Sequence, residues 1–244
     1  MPVPPGHAHR HREAAEMTGD VPILRARTLV EAYLYINLTV AADDVDPADD
    51  EAAEGTAGGE VTEDAEATRR RAARRVIDYE RWTTLTEGRA AWTLLFDGPD
   101  TGPRHKIILV VPYETEFAAR RGELRFGPGR SEIIDPGQWQ LVGAGYARRA
   151  MRDDLLYAEN PGDRQRFHEV ILNWTHARDA VAEAAKFLPE DGDEIPETAF
   201  WSEEGAATRR DEPERFTREG LESDIALYQR NLDHFLSLHG PHTP

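Results

Sequence analysis

The feature that most constrains this chain is a change of period near residue 135. Upstream, apolar residues alternate or run continuously, as in strands. Downstream they recur every three to four residues, as in helices. Strands followed by helices is an α+β pattern. The sequence therefore predicts a mostly antiparallel N-terminal sheet, with a helical half packed on one face of it.

The strands are read as follows. Val30 to Val40 alternates strictly, with Val30, Ala32, Leu34, Ile36, Leu38 and Val40 on one side and Glu31, Tyr33, Tyr35, Asn37 and Thr39 on the other. Period two over that span predicts a strand. Further strands are expected at Val76–Leu85, Ala91–Phe96 and Lys106–Val111. The last is a continuous apolar run, as a central strand buried on both faces would be. Glu123–Phe126 is read as a short edge strand. Turns fall at 86–89 and in the Gly- and Pro-rich stretch 97–103.

The helices are announced by their starts. Asp135-Pro136-Gly137 opens one that carries Trp139, Val142, Tyr146 and Ala150. Aspartate accepts the free N–H groups of a first turn, and proline suits its first position. Asn160-Pro161-Gly162-Asp163 opens a second, with Phe167, Val170, Ile171, Trp174, Ala177 and Val181 along one stripe, ending near Phe187-Leu188-Pro189. Pro196 begins a short helix bearing Phe200 and Trp201, and Thr217 caps a last one that stops at His239-Gly240-Pro241.

Between the first two expected strands lies a different material. Residues 41–68 hold eleven acids (Asp43, Asp44, Asp46, Asp49, Asp50, Glu51, Glu54, Glu60, Glu63, Asp64 and Glu66) and no base. That composition predicts a disordered acidic loop. The whole chain of 244 residues has a formal charge of −17, and setting the eleven aside leaves −6, so the anomaly is local. Arg69, Arg70, Arg71, Arg74 and Arg75 follow directly, close enough to neutralise part of the run. Met1–Pro22 is read as a disordered tail. Residues 23–244 are expected to form a single α+β domain interrupted by the 41–68 loop, the alternative being a split near residue 130.

Several classes of function are argued against. Without cysteine there are no disulfides, thiol nucleophiles or Cys-ligated zinc. No run is long enough to span a membrane, and residues 1–22 lack the apolar core of a secretory signal, so the expected compartment is the cytoplasm and no membrane partner is expected. Nucleic acid is disfavoured by the net charge, since phosphate backbones repel it. Only two bases are lysine and the other 27 are arginine, which fits the coding bias of a GC-rich bacterial genome rather than a function.

No nucleophile elbow, phosphate loop or dinucleotide fingerprint is present. Gly143-Ala144-Gly145 lies inside a helical pattern. His168-Glu169 begins like a zinc-protease helix, but the fifth position is Leu172. His176 lies eight residues beyond His168, about 80° around a helix, so the pair does not clamp a metal by itself. His7, His9 and His11 alternate in the tail without supporting groups. Asp153 and Asp154 are expected to pair with Arg148, Arg149 and Arg152. Glu190, Asp191, Asp193 and Glu194 lack calcium-loop spacing. Trp139, Trp174, Phe200 and Trp201 are read as core. If the chain is an enzyme, His168, Glu169 and Asp135 are the catalytic candidates. No cofactor and no metal site is expected.

Ile134-Asp135-Pro136-Gly137-Gln138-Trp139, then Glu183–Pro189, Ile195–Trp201, Glu212–Phe216 and Leu221 carry a resemblance. In this order and spacing the chain resembles uncharacterised proteins of GC-rich bacteria. Those open with a segment similar to Glu31-Ala32-Tyr33-Leu34-Tyr35 and then carry paired cysteines of a zinc-ribbon kind. Here the acidic loop stands in that place. The resemblance implies no activity; it points to neighbourhoods of bacterial conflict systems, where immunity proteins occur.

The function expected is therefore a non-enzymatic acidic binding protein, an immunity- or inhibitor-type partner of a basic protein. Asp43, Asp44, Asp46, Asp49, Asp50 and Glu51 are its expected partner-binding residues, because clustered charge of one sign steers a partner of the other. A carboxylate/His enzyme and an accessory subunit of a larger assembly are the alternatives. The sequence leaves the oligomeric state open.

Overall fold

The computed structural model describes residues 21–42, 79–98 and 105–240. In chain order these form β1 (Ile23–Arg25), α1 (Leu29–Ala42), α2 (Tyr79–Trp82), β2 (Thr83–Glu87), β3 (Ala91–Asp97), β4 (Lys106–Pro112), α3 (Tyr113–Arg121), α4 (Pro136–Glu159), α5 (Arg164–Ala185), a 3-10 turn at Glu197–Ala199, α6 (Glu203–Asp211), a second at Pro213–Phe216, and α7 (Arg218–His239). The architecture is α+β. The expected tail residues His7, His9 and His11, the acidic run from Asp43 to Glu66 and the arginines 69–75 lie outside the described residues.

The sheet has the order β1-β4-β3-β2. β2 with β3 and β3 with β4 are antiparallel, and β1 joins β4 in parallel. Lys106–Val111 is internal, as its unbroken apolar run implies. Its alternate residues Ile107, Leu109 and Val111 are buried, in register with the buried Phe96 and Leu94 of β3. That face joins one hydrophobic cluster with Ala32 and Ile36 of α1, Trp139 and Val142 of α4, Trp174 and Val181 of α5, and Leu232 and Phe235 of α7. The opposite face, with Leu95, Ile108 and Val110, is half-buried.

Three expectations are corrected. Val30–Val40 is not a strand but the body of α1. Its start signal is Thr28-Leu29-Val30-Glu31: the Thr28 hydroxyl accepts the Glu31 N–H at 3.1 Å, an N-cap at helical spacing. Apolar residues are so dense there that both a two-residue and a four-residue period can be traced, and the cap decides between them. Ala32 and Ile36, one helical turn apart, are the fully buried pair.

Glu123–Phe126 forms no strand. Gly122 closes α3, Glu123 takes a positive φ of 53°, and the chain turns. The sheet edge expected there is supplied by Ile23–Arg25. The strand expected over Val76–Leu85 also shifts. Tyr79–Trp82 is a single helical turn, and β2 runs on to Glu87 before a tight hairpin closed by the Gly88 N–H on the Ala91 carbonyl at 2.9 Å.

The helical starts at Asp135, Asp163 and Thr217 are each N-caps, accepting from the N–H of Gln138, Arg166 and Gly220. α3 and α6 are additional. Both are short, and their sequences are too charged to leave a clear apolar stripe.

Candidate functional site

The three catalytic candidates do not converge. Asp135 is fully buried at the start of α4. One oxygen accepts the Gln138 N–H at 2.9 Å. The other accepts the N–H of Trp201 at 3.2 Å and of Ser202 at 2.7 Å, and the Ser202 hydroxyl donates to it at 2.6 Å. That hydroxyl in turn accepts the Gly205 N–H and so caps α6. One carboxylate thus terminates two helices. Burial pushes its pKa up, and the hydrogen bonds from Ser202, Gln138 and Gly137 oppose the rise.

Glycine is required where these helix starts meet. A Cβ on Gly137 would sit 2.4 Å from the Gly205 Cα, and one on Gly205 would sit 2.2 Å from an Asp135 oxygen.

His168 and Glu169 lie near the start of α5. His168 is exposed, with its Nδ1 2.6 Å from the Arg164 carbonyl oxygen. Glu169 accepts from the Gln165 amide at 2.9 Å. This end of α5 faces the far end of α4, where Asp153 meets Arg166 at 3.2 Å. Asp153 is eighteen residues beyond Asp135, roughly 27 Å along the helix. Asp135 and His168 therefore sit at opposite ends of the α4–α5 pair. Among the described residues no cluster of three His, Asp or Glu is arranged to hold a metal ion.

The remaining buried charges serve the scaffold. Asp153 takes Arg152, Arg166 and the Asn173 amide. On the surface, in the loop after α5, Glu194 pairs with Arg209, and Asp193 with Arg218 at 3.6 Å. A larger buried group ties the sheet to α5. The Arg27 guanidinium meets Glu31 at 2.7 Å and Glu183 at 2.8 Å, and donates to the Gly129 carbonyl. Lys186 reaches Glu183 and the Gly127 carbonyl. Glu116 of α3 accepts the Leu29 N–H at 2.9 Å and so joins the start of α1. Burial lowers the affinity of Arg27 for its proton, but Glu31 and Glu183 outweigh it and the net pKa is raised. Sequence reasoning placed Glu31 on a strand face and missed this junction; the Thr28-x-x-Glu31 spacing was the available signal.

His176 is also a scaffold residue. It is 9% exposed and packs edge-on against Tyr146 at 5.0 Å. Burial, with Arg125 and Arg149 nearby, pulls its pKa down to about 4, so the ring is neutral at pH 7.

The stretches that carry the resemblance gather around these same contacts. Trp139 packs at a tilt against Phe126 at 4.7 Å, Phe187 lies 5.9 Å from Trp201, and Phe200 meets Phe216 edge-on at 4.9 Å. Gln140, fully buried, accepts from Arg215, which also holds Asp224 at 3.1 Å.

The described chain stops and resumes on either side of the acidic segment. It leaves off at Ala42, the end of α1, and picks up at Tyr79. Tyr79 packs edge-on against Tyr33 of α1 at 4.9 Å, and its hydroxyl donates to the Tyr33 carbonyl at 3.4 Å. Burial first, then Tyr33, pushes the Tyr79 phenol up to about 12, while a hydrogen bond with Asn37 opposes this. Tyr79 thus packs on Tyr33, nine residues before α1 ends at Ala42. Asp43, Asp44, Asp46, Asp49, Asp50 and Glu51 belong to the acidic segment, outside the described residues.

Comparison with protein-family models, with curated proteins and with solved structures finds no match to this chain. Among the described residues no helix is long and apolar enough to cross a membrane.

Proposed function

We propose that this chain is a non-enzymatic acidic binding protein, of immunity or inhibitor type, that engages a basic protein partner through the acidic segment beginning at Asp43. The observation that carries the reading is a division of labour among the charges. The buried acids Glu31, Asp135, Asp153 and Glu183 are each engaged by cations or caps within the fold. The eleven acids of 43–66 have no base among them. Charge concentrated this way raises the encounter rate with a positive surface. The carboxylate/His enzyme reading lacks support, because Asp135 is buried as a cap and remote from His168.

Affinity capture tests the reading. The bait is the full chain, set against a variant with Asp43, Asp44, Asp46, Asp49 and Asp50 changed to Asn and Glu51 changed to Gln. A basic protein retained by the first and released by the second supports it. Equal retention on both, or no basic protein on either, refutes it.

A further inference from the structure

The sheet has two outer strands, the three-residue β1 and the five-residue β2. All but the first residue of β2 are exposed. The hairpin bond from Gly88 to Ala91 fixes the alternation, so the hydrogen-bonded pairs across β2 and β3 are Thr86 with Thr93 and Thr84 with Leu95. The C=O groups of Thr83, Leu85 and Glu87 and the N–H groups of Leu85 and Glu87 therefore point away from the sheet, while the Thr83 N–H closes α2 on the Tyr79 carbonyl; no described residue pairs with that edge.

The core face of the sheet also runs out at this strand. Across the register, Leu24, Leu109, Leu94 and Leu85 form one row. Leu109 and Leu94 are fully buried, but Leu85 at the end of the row is 46% exposed. Nor does Thr-Thr-Leu-Thr-Glu carry the lysine, proline or bulge by which edge strands are commonly blunted.

We propose that β2 is an interface strand between two copies of this chain, paired antiparallel about a two-fold axis at Leu85. Leu85 is the middle residue of the five and has its polar backbone groups outward. The axis therefore places Leu85 against Leu85, Thr83 against Glu87, and Thr84 against Thr86 of the second copy. The Leu85 pair exchanges two hydrogen bonds and each Thr83–Glu87 pair one, about four in all. No like charges are opposed, two cross-strand threonine pairs form, and the leucine row continues into the second molecule. A partner strand of other sequence gains the backbone bonds but not this self-match, which is why a second copy is the occupant.

The chain's charge sets the conditions. Two molecules of net −17 repel one another. Salt screens that repulsion, so the dimer strengthens as ionic strength rises. A complex with a basic partner weakens under the same change, which makes the sign of the salt effect diagnostic.

The test is sedimentation equilibrium of the full chain at low and high salt. The wild type should self-associate to a dimer, at least about tenfold more strongly at ~0.5 M than at ~0.05 M salt. Leu85→Pro removes an N–H that no internal bond uses, and Leu85→Lys opposes two like charges across the axis. Both should be monomeric under those conditions, with unfolding midpoints close to wild type. If Leu85→Pro fails to fold, Leu85→Lys decides. A wild type monomeric at high salt, or a dimer that persists in either folded variant, overturns the proposal.

Discussion

Asp135 shows how one residue type serves two readings. A buried carboxylate is a standard candidate for acid–base chemistry. Here its acceptor capacity is spent on Gln138, Trp201 and Ser202. Its place as an N-cap was legible from Asp-Pro-Gly, but its second helix was not, because Ser202 lies 67 residues on. Asp135→Ala should destabilise the fold by about 3–5 kcal/mol in chemical denaturation, since it strands two helix starts at once. Asp135→Asn, which keeps one acceptor oxygen, should cost less. His176 gives the residue scale its pH dependence. Its folded pKa lies at about 4, below the ordinary 6.5. The folded state therefore binds fewer protons than the unfolded state, and stability present above pH 6.5 is lost as pH falls toward 4, by up to roughly 3 kcal/mol. Asp135, with a raised pKa, contributes with the opposite sign. Denaturant midpoints measured across pH 7 to 4 should fall for the wild type and fall less for His176→Phe.

At the scale of elements, the caps were the readable signals and the periods were not always so. Three long helices begin at the aspartate or threonine that the sequence marks. α1 was misread because its alternation was counted without its cap, and the Thr28–Glu31 spacing outweighs eleven residues of apparent period two. β1 was unreadable in principle. Three residues are too few for a periodic signal, and Ile23–Arg25 becomes a strand only because β4 offers it an edge. The Arg27 junction joins these elements to α5. Arg27→Met should cost about 3–5 kcal/mol, because it leaves Glu31 and Glu183 buried without their cation. Arg27→Met with Glu31→Leu should cost less than the sum of the two single changes, a non-additivity that a double-mutant cycle reads directly.

For the whole molecule, the sequence separated a packed body from a segment of concentrated charge, and it placed the body in the α+β class. It could not reveal that Tyr79 packs on Tyr33, since the two rings come together only once α1 is a helix. We propose that the body serves as scaffold and that residues 43–66 act on a partner through long-range charge. Charge of that kind acts on encounter, and contributes little to dissociation unless it is buried in the complex. The decisive measurement is the association rate of the captured basic partner across a series of salt concentrations, for the full chain and for a chain lacking residues 43–66. Without the segment, association should be slower by about tenfold at low salt, with a flattened salt dependence and an unchanged dissociation rate. An association rate and salt slope that survive the deletion unaltered would contradict the proposal.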